Sequence, residues 1–456
     1  MIHRFSMKGI NILMDINSGS VHVVDDVTYA LSAVVAPGMT EECPEDIIRS
    51  LSDTYTKEQL TEAYHELYEL EQSGYLFADD DYINIAAAIP TGAPIKALCL
   101  HVSHDCNLRC KYCFASTGDF GTGRRMTMDF DVAKKAIDFV IERSGARRNI
   151  EIDFFGGEPL MAFDTVKKTV EYARSLEEEK NKKFRFTITT NGILLDDDAI
   201  DYINENMDNC VLSLDGRREV NDNMRPTVNG KGSYDIIMPK FKKLVAQRGD
   251  KDYYVRGTFT GKNLDFSNDV LAIADEGFEQ LSVEPVTSPE GTGYDISEKD
   301  LPRIGEEYEK LCDIIQKRRK EGKWFNFFHF MVDLQQGPCV IKRLRGCGAG
   351  YEYVAVTPDG DIYPCHQFVG QEEFKQGSVL DGSFDMNISD HFSRLNVCTR
   401  PKCADCWAKF YCSGGCAAAN FNMNGDIETP YEMGCELQKK RLECAIYLKA
   451  AELAEE

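Results

Sequence analysis

The stretch Cys106-Asn107-Leu108-Arg109-Cys110-Lys111-Tyr112-Cys113 decides how the rest of this 456-residue chain is read. Its three thiols stand at C-x3-C-x2-C. At that spacing a short loop can turn three thiolates towards three corners of a cubane 4Fe-4S cluster and leave the fourth iron free. A structural zinc site prefers four protein ligands, and no fourth Cys or His follows at finger spacing. His101 and His104, just upstream, keep zinc open as the alternative.

Outside the triplet, charge and cysteine usage narrow the classes. Lys and Arg number 52 against 75 Asp and Glu, a formal net charge of -23. That balance argues against nucleic acid, because phosphate neutralisation needs clustered cations; a basic peptide is the better partner. The first residues, MIHRFSMKGINILMDINSGS, lack an apolar core followed by a small-residue cleavage site, and no apolar run approaches a membrane span. A cytoplasmic protein without membrane contact is expected, and its 17 cysteines then point to metal rather than disulfides. Oxygen damages iron-sulfur clusters, which favours an anaerobic setting.

The chain divides into three expected parts: 1-90, 91-330 and 331-456. In the first, apolar stretches at Ile10-Ile16 and Val21-Val24 flank Asn17-Ser18-Gly19 as a hairpin. A helical pattern follows from Asp26, and Thr56 with Gln59 forms a capping box for a helix bearing Leu60, Ala63, Tyr64, Leu67 and Tyr68 on one face. With a wing strand at Tyr75-Phe77, these read as a winged helix-turn-helix. Four Lys and Arg against sixteen Asp and Glu up to Pro90 exclude a DNA reader. From Ile95, apolar runs at Ala97-Val102, Ile150-Phe155, Phe184-Thr189, Cys210-Leu214, Tyr253-Thr260 and Leu281-Val283 alternate with helical stretches. They predict an α/β fold, a partial (β/α)6 TIM-like barrel with chemistry at the carboxyl ends of its strands. The triplet directly follows the first strand. The aromatic run Trp324-Phe330 is expected to pack between domains.

The triplet, with the aromatic Tyr112 before its last cysteine, resembles the motif of the radical S-adenosylmethionine enzymes. In that family the open iron chelates the cofactor's amino and carboxylate groups, and an electron from the cluster releases a 5'-deoxyadenosyl radical that abstracts a substrate hydrogen. The resemblance assigns Gly156-Gly157-Glu158, after the second strand, to the methionine amino group. It places ribose and substrate contacts near Thr190-Asn191-Gly192, Ser213 and Asp215. Arg256 on strand five can pair with the cofactor carboxylate or sit in a salt bridge inside the barrel. No acid-base triad is evident or required.

Towards the C-terminus, Cys347, Gly360 and Cys365 make C-x12-G-x4-C, Cys403, Cys406, Cys412 and Cys416 make C-x2-C-x5-C-x3-C, and Cys435 follows. This order resembles the SPASM domain, with two auxiliary 4Fe-4S clusters, making three in all; a zinc ribbon at Cys403 and Cys406 is the alternative. The family pattern puts Cys403, Cys406, Cys412 and Cys435 on the outer cluster and Cys347, Cys365 and Cys416 on the inner one. Cys339 or a substrate thiolate would complete the inner set. Cys43, Cys99, Cys210, Cys312, Cys398 and Cys444 read as buried apolar residues. His366 stands where the sulfatase maturases of this plan carry a carboxylate base.

Taken whole, with the Asp15-Asp25 stretch, the chain resembles thioether-forming (sactisynthase-like) maturases of the peptides known as six-cysteines-in-forty-five-residues precursors. The resemblance implies an acidic winged helix that takes the precursor's leader as an added strand, a structural cap being the alternative. It also implies an external electron donor, flavodoxin or ferredoxin. The competing readings are another radical peptide modification, such as sulfatase-type oxidation or carbon-carbon crosslinking, and a non-enzymatic iron-sulfur electron carrier.

Overall fold

The computed structural model describes residues 1–334 and 339–455. The chain opens with a meander, β1 (Ile2–Met7), β2 (Ile10–Asp15) and β3 (Val21–Val24), all antiparallel. Three helices follow, α1 (Asp26–Leu31), α2 (Glu45–Leu51) and α3 (Lys57–Gln72). The capping box forms as expected: Gln59 N donates to Thr56 Oγ1 at 3.3 Å and Thr56 N to Gln59 Oε1 at 3.0 Å. The expected wing does not form, since residues 75–77 lie in turns and bends.

Period-two patterning gives this sheet two different faces. Leu13 packs with Leu31, Leu60, Tyr64 and Leu67. Ile12, Met14 and Ile16 turn the other way, into the main core shared with Phe410 and Leu442. The front unit therefore has a small core of its own on one face of its sheet and joins the main core through the other. His3 stacks on Trp407 with ring centroids 3.6 Å apart, and the buried Lys409 ammonium meets Asp80 at 2.8 Å.

The second sheet is the scaffold of the molecule. Its parallel strands are β4 (Ala97–His104), β6 (Asn149–Gly156), β7 (Lys183–Thr190), β8 (Asn209–Ser213), β9 (Asp252–Phe259), β10 (Gln280–Pro285) and β11 (Asn326–Phe327), and β5 (Met126–Thr127) pairs antiparallel with the end of β4. All six expected strands are present within a few residues of their sequence bounds. β4 is buried throughout, whereas β6, β7, β8 and β9 alternate. In β6, Ile150, Ile152 and Phe154 are buried, while Glu151 is exposed and Asp153 and Phe155 are half-buried. A sheet curved into a half-barrel covers one face with helices and keeps the concave face polar for a ligand.

β12 (Tyr353–Val356) comes from the Cys-rich region and pairs in parallel with β4, Ala355 opposite Cys99. β13 (Asp361–Tyr363) then turns back antiparallel. The third part thus extends the barrel sheet on the far side of the first barrel strand. Within the aromatic run, Phe325, Phe327 and Phe330 are buried, while Trp324 and Phe328 are exposed. Among the described residues no helix is long and apolar enough to cross a membrane.

Candidate iron-sulfur and cofactor sites

β4 ends at His104, and the chain turns at once into the cysteine loop. Backbone bonds fix that loop from two sides. Arg109 N donates to Pro226 O at 2.8 Å and Lys111 N to Met224 O at 2.9 Å, while Gly157 N reaches Ser103 O at 2.8 Å and Glu158 N reaches Asp105 O at 2.9 Å. Cys106, Cys110 and Cys113 then line one cavity of about 140 Å³ together with Tyr112, Phe155, Gly156, Gly157, Glu158, Asn191, Ser213 and Arg225. Burial pushes the Cys106 thiol up to about 12 and the Cys110 thiol up to about 11. Iron bound by these thiols would release the protons that burial favours.

The two glycines also have a packing role. A Cβ on Gly157 would stand 2.2 Å from Asp105 O, and one on Gly156, at φ +123°, 2.2 Å from Ser103 O. Their bareness admits the end of β4 and the start of the cysteine loop, and both glycines also line the cavity. Glu158 is also more engaged than expected. Its carboxylate accepts from Thr190 Oγ1 at 2.7 Å, Asn191 N at 2.8 Å and Leu160 N at 3.1 Å. These fill three of roughly four acceptor positions, leaving one for an ammonium. Burial raises the Glu158 carboxyl to about 7 despite these bonds.

Two further expectations change. Asp215 is fully buried and turned behind the loop, where it accepts from Tyr112 Oη at 2.7 Å and from Thr258 N at 3.1 Å. It is absent from the cavity wall and holds Tyr112 instead. Arg256 is likewise absent from that wall; its Nη2 donates to Glu284 Oε2 at 3.0 Å, the salt-bridge alternative. The guanidinium that does line the cavity is Arg225, which sequence reasoning missed. It is 8% exposed, donates from Nη1 to Tyr112 Oη at 2.8 Å, and leaves Nε without a partner among the described residues. A buried arginine with an unspent N–H beside three thiols is a ready carboxylate receptor. Its neighbours Met224 and Pro226 accept the backbone bonds from the cysteine loop, a placement that leaves no local trace in the sequence.

Cys403, Cys406, Cys412 and Cys435 line a second cavity of about 190 Å³, with Trp407, Lys409 and Gly414. The family pattern groups these four, and the fold brings them together from a loop and the start of the C-terminal helix Glu432–Glu455. Cys347, Cys365 and Cys416 form the third group. After burial, the charges of Cys416 and Cys347 hold the Cys365 thiol up. Cys339 caps the short helix Val340–Arg345 and is exposed. Next to Cys365, His366 shares a 3.1 Å hydrogen bond between Nδ1 and Tyr353 Oη, and burial holds its imidazole down to about 4. Among the described residues no three His, Cys, Asp or Glu side chains converge on a single metal ion. Thiols spread around a cavity fit a cluster with several iron corners better than a mononuclear zinc site.

Comparison with known proteins agrees with this geometry. The radical SAM superfamily profile matches residues 100–260, and the SPASM iron-sulfur cluster-binding domain profile matches 347–407. A cysteine-type anaerobic sulfatase-maturating enzyme of Clostridium novyi is 26% identical over 333 residues, covering 69% of this chain and 85% of that one. The mycofactocin maturase MftC of Mycolicibacterium smegmatis is 29% identical over 351 residues, covering 74% and 82%. Among solved structures, native anSMEcpe with bound AdoMet superposes with a TM-score of 0.66 at 21% identity, covering 80% of this chain and 100% of that one. The chain therefore carries a radical SAM domain followed by a SPASM iron-sulfur cluster-binding domain.

Proposed function

We propose that the protein is a radical S-adenosylmethionine enzyme that closes an intramolecular thioether, from a cysteine sulfur to a carbon of an acceptor residue, in a ribosomally made Cys-rich precursor peptide. The observation that carries the reading is the cavity at the end of β4, where Cys106, Cys110 and Cys113 face Glu158, Ser213 and Arg225. When bound there, a cluster and S-adenosylmethionine supply a hydrogen-abstracting radical. The chain's part is to place the cofactor: Arg225 towards its carboxylate, the remaining acceptor position on Glu158 towards its ammonium, and Ser213 towards its ribose. Tyr112, held by Asp215 and Arg225, fixes the loop from behind.

Peptides as substrates are supported by two relatives named as maturing enzymes and by anSMEcpe, which has also been solved with the Kp18Cys peptide. Thioether formation rests on the third thiol group. Three cysteines leave an auxiliary cluster one protein ligand short, and a substrate thiolate can take that place. The leader would add to the free edge of β3, where Val23 is exposed and backbone groups lack a neighbouring strand. Neutral His366, instead of a carboxylate, disfavours sulfatase-type oxidation. Mass spectrometry of a Cys-rich precursor after anaerobic turnover tests the reading. A loss of two hydrogens with one thiol blocked to alkylation is expected, whereas the same loss with every thiol still free would exclude it.

A further inference from the structure

Arg400 occupies an unusual place between the two auxiliary thiol groups. It is 6% exposed, and its side chain lies flat on Gly414, where a Cβ would stand 2.9 Å from Arg400 Cδ. Nη1 donates to Gly414 O at 2.8 Å, while Nε has no partner among the described residues. Gly414 lies between Cys412 of one group and Cys416 of the other. Cys403 N donates to Arg400 O at 3.2 Å, and Gly346, next to Cys347, abuts Ser413 O on the same turn.

A buried cation is costly unless an anion meets it. Arg400 lies against the turn that carries Cys412 of one group and Cys416 of the other, and its charge also reaches the exposed Asp426 carboxylate. A cubane held by thiolates is itself anionic, and its potential follows net charge and hydrogen bonds to sulfur. We propose that Arg400 is the shared counter-cation of the two auxiliary sites and sets the reduction potential of both. The proposal rests on the reading of these cysteines as cluster ligands. Each one-electron reduction adds a negative charge, so a cation at the junction favours the reduced form of either site, and its loss disfavours both together.

The test uses the full chain, reconstituted anaerobically, with iron counted and each midpoint followed by electron paramagnetic resonance during redox titration. Arg400→Gln with full iron content is expected to lower the reduced-to-oxidised ratio of both auxiliary sites at least tenfold at fixed potential, about 59 mV for one electron. The centre on Cys106, Cys110 and Cys113 stays in place, and Arg400→Lys recovers most of the shift. Should the glutamine variant shed auxiliary iron, retention of iron by the lysine variant supports the same role. Full iron with unmoved midpoints, a shift at one site alone, or equal iron loss in both variants overturns it. Wild type lacking auxiliary iron would overturn it too, by removing the ligand reading on which it rests; the iron count tells that failure from the others.

Discussion

Arg225 and Arg256 show what a sequence does and does not say about a single side chain. Arg225 follows the short helix Arg218–Met224 and Arg256 lies within β9, and charge alone cannot tell a cofactor ligand from a strut. The difference is burial and partner: Arg256 spends its charge on Glu284, whereas Arg225 is enclosed with Nε unspent. Arg225→Lys keeps a cation for Asp215 but loses the planar fork. It should weaken S-adenosylmethionine binding about tenfold or more, the worth of a hydrogen bond to a charged group. Equilibrium binding to the reconstituted enzyme checks this, and unchanged affinity would return the carboxylate to another donor.

At the scale of elements, the strands were legible because β-branched and aromatic residues alternate over eight-residue runs such as Lys183–Thr190. The wing was not legible, because Tyr75-Leu76-Phe77 reads as strand while Leu76 and, in part, Phe77 are drawn into the front unit's core through a bend. Nor did periodicity show that β12 would pair with β4, since parallel pairing across more than 200 residues leaves no local trace. The Gly156-Gly157 pair also answers a close approach of backbone to backbone that the sequence did not announce. Gly157→Ala forces a Cβ to within 2.2 Å of Asp105 O and must displace the cysteine loop. Its iron content should fall by about four atoms of an expected twelve for three cubanes, with the auxiliary signals kept. Full iron with an unaltered loop cluster would show that the loop yields without cost.

For the molecule as a whole, the grouping of cysteines was the most readable feature and their mutual placement the least. Resemblance to the family pattern groups Cys403, Cys406, Cys412 and Cys435, where spacing alone runs Cys416 with the first three, and the fold puts all four on one cavity. Spacing gives no hint that the same loop, through Trp407 and Lys409, also seats the N-terminal sheet. Three thiol groups, one parallel half-barrel and an acidic front unit thus form a continuous body, with the triplet at the carboxyl end of its first barrel strand. The account depends on that triplet leaving one iron open to a small-molecule ligand. Its most direct test is 5'-deoxyadenosine formation by the anaerobic, dithionite-reduced protein given S-adenosylmethionine, in wild type beside Cys110→Ala. Wild type is predicted to release 5'-deoxyadenosine and the variant none; equal yields from both, or none from an iron-replete wild type, would contradict it.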